Sequence, residues 1–304
     1  MSEIEVVNSR PDDVQPLLGW NQRNLDKLFA FRQLSSSHFV CDRHDSNLNG
    51  MAYGGQLLAQ ALHVTQSCVD DLMPSSINVV FVDGGRIDRL LEFQVKPIKR
   101  SRRFARYRVT AFQRAADGTI STALEAYVTF QADMQAYAYS EPMPENMPPP
   151  EALVSMDQLP GADIHNWGKH QKPCLEMRLV DPERCLEQRS ESPRMAFWVR
   201  LREPLPEAQS FHYSAIAYLS DFWVNAAAIM HQVPLLYSRE EVFAASLNHS
   251  LWFYGACRAD DWLLMVAESP CMQMGRALTH LKFYDRQTRL IACASQDCLV
   301  LKQR

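Results

Sequence analysis

Apolar and polar positions along the chain switch between two periods. Residues 21–34 and 56–69 repeat apolar side chains at helical spacing, and Leu57, Leu58, Ala61 and Leu62 form one stripe of the second helix. Residues 38–44 alternate weakly, as a strand would. After the second helix come four strand-like runs, 76–83, 89–98, 104–113 and 122–131. Asp117-Gly118 precedes the last of them, a dipeptide that favours a tight hairpin. A helix followed by consecutive strands predicts an α+β arrangement with the helix packed on an antiparallel sheet, not βαβ units.

The same order returns later. Two strand-like runs, 175–181 and 194–201, precede a long apolar helix over about 212–231, and four further strands follow. Ser76 and Ser246 open similar strands at an offset of 170 (246 − 76), and Gly54-Gly55-Gln56 aligns with Leu219-Ser220-Asp221 at 165 (221 − 56). The pattern reads as a duplicated domain. Five prolines within 138–150 prevent regular structure and mark a linker. The expected layout is a first domain over 1–137, a linker over 138–172 and a second domain over 173–304.

Length and composition add limits. At 304 residues, with 47% apolar and 22% charged positions, the chain suits two ordinary globular domains and excludes a disordered or fibrous one. A net charge of −4 provides no general field for nucleic acid. Eight cysteines without metal-binding spacing suit a reducing compartment. The N-terminus is acidic and polar, unlike a signal peptide, and the apolar run 214–230 is interrupted by Asp221 and short for a membrane span. The expectation is a cytoplasmic protein with no membrane partner, no metal and no cofactor. GxSxG, P-loop, HExxH and GxGxxG patterns are absent.

Several polar residues sit where apolar ones are expected. Asp221 is the only charged residue in 214–230. It reads either as the N-cap of a second helical segment or as a general base. Gln296 shares a strand face with Ala292, Ala294 and Cys298, where a buried amide needs partners for both its oxygen and its NH₂. Ser246 falls on the face of Asn248 and Ser250 by simple alternation. At the repeat offsets the first half has Gln56, Ser76 and Ala126, so one working site and one degenerate site are expected. His249 reads as an ordinary strand histidine or as a catalytic partner. Lys96, Lys99, Arg100, Arg102, Arg103, Arg106 and Arg108 form a basic stretch, either a solvated hairpin or a phosphate contact.

The stretches AYGGQLLAQAL (52–62), FARYRVTAFQ (104–113), LEMRLVDP (175–182), YLSDF (218–222), SLNHSLWF (246–253), RADDWLL (258–264) and RLIACASQDCLV (289–300) together resemble the acyl-CoA thioesterase II family, the TesB-like double-hotdog enzymes. The resemblance runs in family order from about residue 21 onward. It implies a double hotdog: two helices, each wrapped by an antiparallel sheet, with the sheets joined edge to edge. It implies hydrolysis of acyl-CoA by a water held between Asp221, Ser246 and Gln296, with Gly54, Gly55, Gln56, Arg102, Arg103 and Arg106 as candidate substrate contacts. It also implies a homo-oligomer. Ser246 stands where the family pattern usually has Thr, Asn248 where Asp is expected, and Tyr254-Gly255-Ala256-Cys257 where an HRPF-like run is common. Two alternatives remain open: a hotdog enoyl-CoA hydratase, with His249 near the base, and a non-catalytic acyl-CoA-binding module.

Overall fold

A computed structural model describes residues 17–159 and 172–303. The first half contains α1 (Leu25–Leu28), β1 (Arg32–Ser35), β2 (His38–Cys41), α2 (Gly54–Gln66), β3 (Met73–Phe81), β4 (Leu91–Arg100), β5 (Phe104–Arg114) and β6 (Ile120–Gln131). The second contains β7 (Leu175–Leu179), α3 (Pro182–Leu186), β8 (Arg194–Leu201), α4 (Gln209–Ser220), α5 (Ala226–Ile229), α6 (Ser238–Glu241), β9 (Val242–Phe253), β10 (Leu263–Gln273), β11 (Arg276–Tyr284) and β12 (Leu290–Lys302). The helix expected over 21–34 is therefore one short turn followed by a strand.

All twelve strands join one antiparallel sheet in the order β1-β2-β4-β5-β6-β3-β9-β12-β11-β10-β8-β7. Reading outward from the centre, the two halves have matching strand orders. In each, two strands, a long helix and four strands follow one another along the chain. The halves meet where β3 pairs with β9, from Ser76 opposite Trp252 to Val80 opposite Asn248. This is the arrangement of a double hotdog.

The sheet curls around α2 and α4, whose apolar side chains fill one core that spans both halves. Leu57, Leu58, Leu62, Ile216 and Leu219 are fully or almost fully buried there, each contributing roughly 2 kcal/mol. The two helices run antiparallel. Tyr53 Oη, just before α2, donates to Tyr218 O near the end of α4 at 3.0 Å. At the opposite end Gln66 Nε2 donates to Ser210 O at 3.1 Å and to Ser214 Oγ at 3.0 Å. A Cβ on Gly55 would lie 2.3 Å from Tyr218 O, so only glycine permits this approach.

This geometry corrects the helix alignment. The counterpart of α2 is α4, which starts at Gln209, so Asp221 follows the end of a helix and is not the partner of Gln56. The strand offset of 170 stands: Val79 opposite Ala126 in β3–β6 is the counterpart of His249 opposite Gln296 in β9–β12. The long helix expected over 212–231 also breaks, at Asp221, and Trp223 takes a φ of 57°. That left-handed conformation is rare for a bulky residue, and no glycine or proline announces the break.

Residues 132–149 carry no helix or strand, but the proline-rich part is pinned across the outer face of the second-half sheet. Trp198 Nε1 donates to Pro148 O at 2.9 Å, Lys282 pairs with Glu141 at 2.7 Å, and Met143 and Met147 pack on Trp198, Trp262 and Tyr284. Among the described residues no helix is long and apolar enough to cross a membrane, and no cluster of three or more His, Cys, Asp or Glu could hold a metal.

Candidate active site

A cleft of about 1010 Å³ opens where α2 begins and α4 ends. Its volume lies at the upper end of the range for organic-ligand sites. Leu57, Phe81, Phe222, Trp223, Ile229 and Leu235 give it an apolar wall, and Asp221, Asn225 and Ser246 converge on one side.

Asp221 bridges the two halves. Its Oδ2 accepts from Gly55 N in the first turn of α2 at 2.9 Å, and its Oδ1 accepts from Ser246 Oγ at 3.2 Å. It thus acts as a cap, but on the helix of the other half and not on its own segment. The positive end of α2 favours the anion. Burial nevertheless wins: desolvation pushes the carboxyl up to about 6 against the pull of its hydrogen-bond donors and Lys172. A Cβ on Gly54 would fall 2.6 Å from Asp221 Oδ2, which accounts for glycine there as well.

Ser246 reaches the site through a β-bulge. Asp297 pairs with Asn248 and Cys298 with Ser246, leaving Leu247 unpaired. The extra residue turns Ser246 onto the inner face with Gln296 and Cys298, while Asn248 stays exposed on the outer face. The expected shared face of Ser246, Asn248 and Ser250 is thereby corrected.

Gln296 is fully buried behind these residues. Its Nε2 donates to Ser246 Oγ at 2.7 Å and to Asn225 Oδ1 at 3.2 Å, and its Oε1 lies 2.5 Å from His249 Nδ1. Both amide protons are committed within the protein, so Gln296 supports Ser246 from behind and does not face the cleft. Asn225 escaped the sequence reading, although it lies four residues after Asp221 in an otherwise apolar run.

Of the other candidates, Gly54 lines the cleft and Gly55 holds Asp221. Gln56 faces away. Its Oε1 accepts from Asp45 N at 2.6 Å, and its Nε2 reaches Gln60 Oε1 at 3.0 Å in a buried polar cluster. Arg102, Arg103 and Arg106 are exposed around the β4–β5 turn, at the end of the sheet opposite the cleft, so they do not reach it. The cations among the described residues of the cleft are Lys172 and Arg239. Lys172 is engaged, 2.8 Å from Asp45 and over the Tyr53 ring, whereas Arg239 is exposed with no carboxylate partner among the described residues.

Residues 43–131 match the acyl-CoA thioesterase N-terminal domain, and residues 148–300 match the acyl-CoA thioesterase C-terminal domain. The chain belongs to the acyl-CoA thioesterase family. Among its relatives, acyl-coenzyme A thioesterase 8 of Mus musculus is 28% identical over 82% of this chain and 80% of that protein. Acyl-CoA thioesterase 2 of Haemophilus influenzae is 22% identical over 91% of this chain and 96% of its own length. The crystal structure of an acyl-CoA thioesterase II, TesB2, from Mycobacterium marinum superposes with a TM-score of 0.73 at 24% identity, covering 92% of this chain and 97% of that one. That structure shares the double-hotdog fold, in keeping with a TesB-like thioesterase II.

Proposed function

We propose that the protein hydrolyses acyl-CoA to a free carboxylic acid and CoA with a water activated by Asp221. The observation that carries this reading is a carboxyl in the cleft wall of a thioesterase-family chain, pushed up to about 6 by burial. At neutral pH it is mostly ionised yet basic enough to take a proton, as a general base requires. Asp221 and Ser246 orient the water, and Gln296 and Asn225 fix Ser246 from behind. The water attacks the thioester carbon while its proton passes to Asp221. The developing oxyanion lies near the α2 N-terminus, where the Gly54 N–H is a first-turn donor without an acceptor four residues back. The carbonyl re-forms as the CoA thiolate leaves, and no covalent enzyme intermediate is needed.

The apolar wall accommodates the acyl chain, and Arg239 at the rim is placed for the phosphates of CoA. A hydratase would need a histidine at the cleft. His249 is fully buried, has a polar neighbour at each ring nitrogen and does not line it. A binding module would have no use for a costly, half-buried carboxylate in the cleft wall. The two hotdog units are assigned to 1–137 and 173–304, joined by 138–172. Eight unpaired cysteines support a cytoplasmic location. Exposed Val80, Tyr127 and Trp252 on the central outer sheet face suit association into a homo-oligomer. The decisive test is CoA release from acyl-CoAs of graded chain length. Folded protein that releases none across the series would refute the reading.

A further inference from the structure

His249 stands behind the proposed site and touches nothing in the cleft. It is fully buried in the middle of β9, with Ser220 Oγ 2.9 Å from Nε2 and Gln296 Oε1 2.5 Å from Nδ1. Burial lowers its pKa to about 4, so the ring is neutral at working pH, with one nitrogen a donor and the other an acceptor. Ser220 and Asp221 are neighbours in the chain, so the contacts close a ring: Ser220, His249, Gln296, Ser246, Asp221.

One arrangement of protons satisfies this ring and its anion together. Gln296 Nε2 donates to Ser246 Oγ and Ser246 Oγ to Asp221 Oδ1, which leaves Gln296 Oε1 to accept from His249 Nδ1–H. Ser220 Oγ, which has both Ala217 O at 2.8 Å and His249 Nε2 at 2.9 Å within reach, then turns its single proton to Nε2. Every proton then points toward the carboxylate, and bonds aligned in this way polarise one another. The opposite ring tautomer would turn the Gln296 amide over. Its oxygen would then take the Ser246 proton, and Asp221 Oδ1 would lose that donor.

The fold itself does not require these side chains. At the equivalent register in the first half the pair is Val79 opposite Ala126, both buried and apolar. A histidine and an amide have replaced that pair only where Asp221 lies.

We propose that His249 is a positioning residue: its Nδ1–H fixes the direction of the Gln296 amide and thereby aims the Ser246 hydroxyl at Asp221. This rests on the hydrolytic reading above. His249 acts wholly through Gln296, so the two should not contribute independently.

The experiment is a double-mutant cycle on CoA release, with folding checked by circular dichroism and thermal melting. His249→Leu should lower kcat about tenfold or more with KM for acyl-CoA nearly unchanged. His249→Asn, which sets an amide where Nδ1 was, should recover most of that loss. His249→Val with Gln296→Ala, which recreates the first-half pair, should be no slower than Gln296→Ala alone. If His249→Leu does not fold, this last comparison decides. A folded His249→Leu with kcat within about twofold of wild type, or a double variant about tenfold slower than Gln296→Ala, would overturn the proposal. Wild-type protein that releases no CoA would overturn the hydrolytic reading and this proposal with it. An active wild type with an unaffected His249→Leu overturns this proposal alone.

Discussion

Asp221→Asn should destroy activity and raise stability in the same molecule. The amide keeps the shape of the carboxylate. Its oxygen still accepts from Gly55 N, and its NH₂ turns to Ser246, but it cannot take a proton from water. Loss of the base predicts a fall in kcat of about 10²-fold or more. Stability moves the other way because burial raises the Asp221 pKa from 3.8 to about 6. A rise of roughly two units, at about 1.4 kcal/mol each, means that ionisation costs the folded state about 3 kcal/mol. The protonated form is the favoured one in the fold. Its advantage is complete below the unfolded pKa near 3.8 and is lost as pH rises through about 6. The neutral variant does not titrate. Wild type and variant should therefore melt together near pH 4 and separate by roughly 5 °C at about pH 7.5, with the variant higher. Thermal unfolding across that range, beside CoA release, measures both effects. A gap independent of pH, or a variant less stable at neutral pH, would refute the account of Asp221 as a desolvated, costly carboxylate.

Other predictions follow from the same geometry. For the wild type, kcat/KM should rise with pH through about 6 and then level off; a first inflection near 8 would assign the base elsewhere. Gly54→Ala should lower kcat about tenfold with little change in melting, because its Cβ would press on Asp221 Oδ2. Gly55→Ala should instead cost roughly 2–3 kcal/mol of stability, because its Cβ would meet the Tyr218 main-chain oxygen and force α2 from α4. Normal melting of that variant would contradict the close approach. Arg239→Ala should raise KM for acyl-CoA several-fold, more at low salt, and leave an acyl-pantetheine without the nucleotide unaffected. Arg102→Ala/Arg103→Ala should change neither; a shift in KM would move the phosphates to the β4–β5 turn.

Periodicity made the duplicated order of strands and helix legible, because each element is half buried and carries its period in the sequence. Asp221 and Gln296 stood out for the complementary reason, as polar groups in apolar runs. What stayed hidden were local departures from regularity. Leu247 is one extra residue in a strand, and a bulge leaves the alternation intact on either side while reversing its phase, so simple alternation puts Ser246 on the face of Asn248. The helix break at Asp221 lies in a run with no glycine or proline. The arginines around residue 102 cluster in sequence, but strand length carries their turn away from the cleft.

The antiparallel helix pair has two ends, and Asp221 stands at one of them. At the other, Gln66 bonds the Ser210 carbonyl and the Ser214 hydroxyl, and His63 Nδ1 lies 3.0 Å from the same hydroxyl. Two identical subunits would be bound by their symmetry to repeat every feature at both ends, including the desolvated charge and the left-handed tryptophan. Covalent fusion lifts that obligation. The molecule keeps the cleft carboxylate at one pole and ties the helices together at the other through Gln66. Reinforcement can therefore be added at the far end of α2 and α4 without entering the chemistry, and it can offset destabilising changes that new substrates would demand at the cleft.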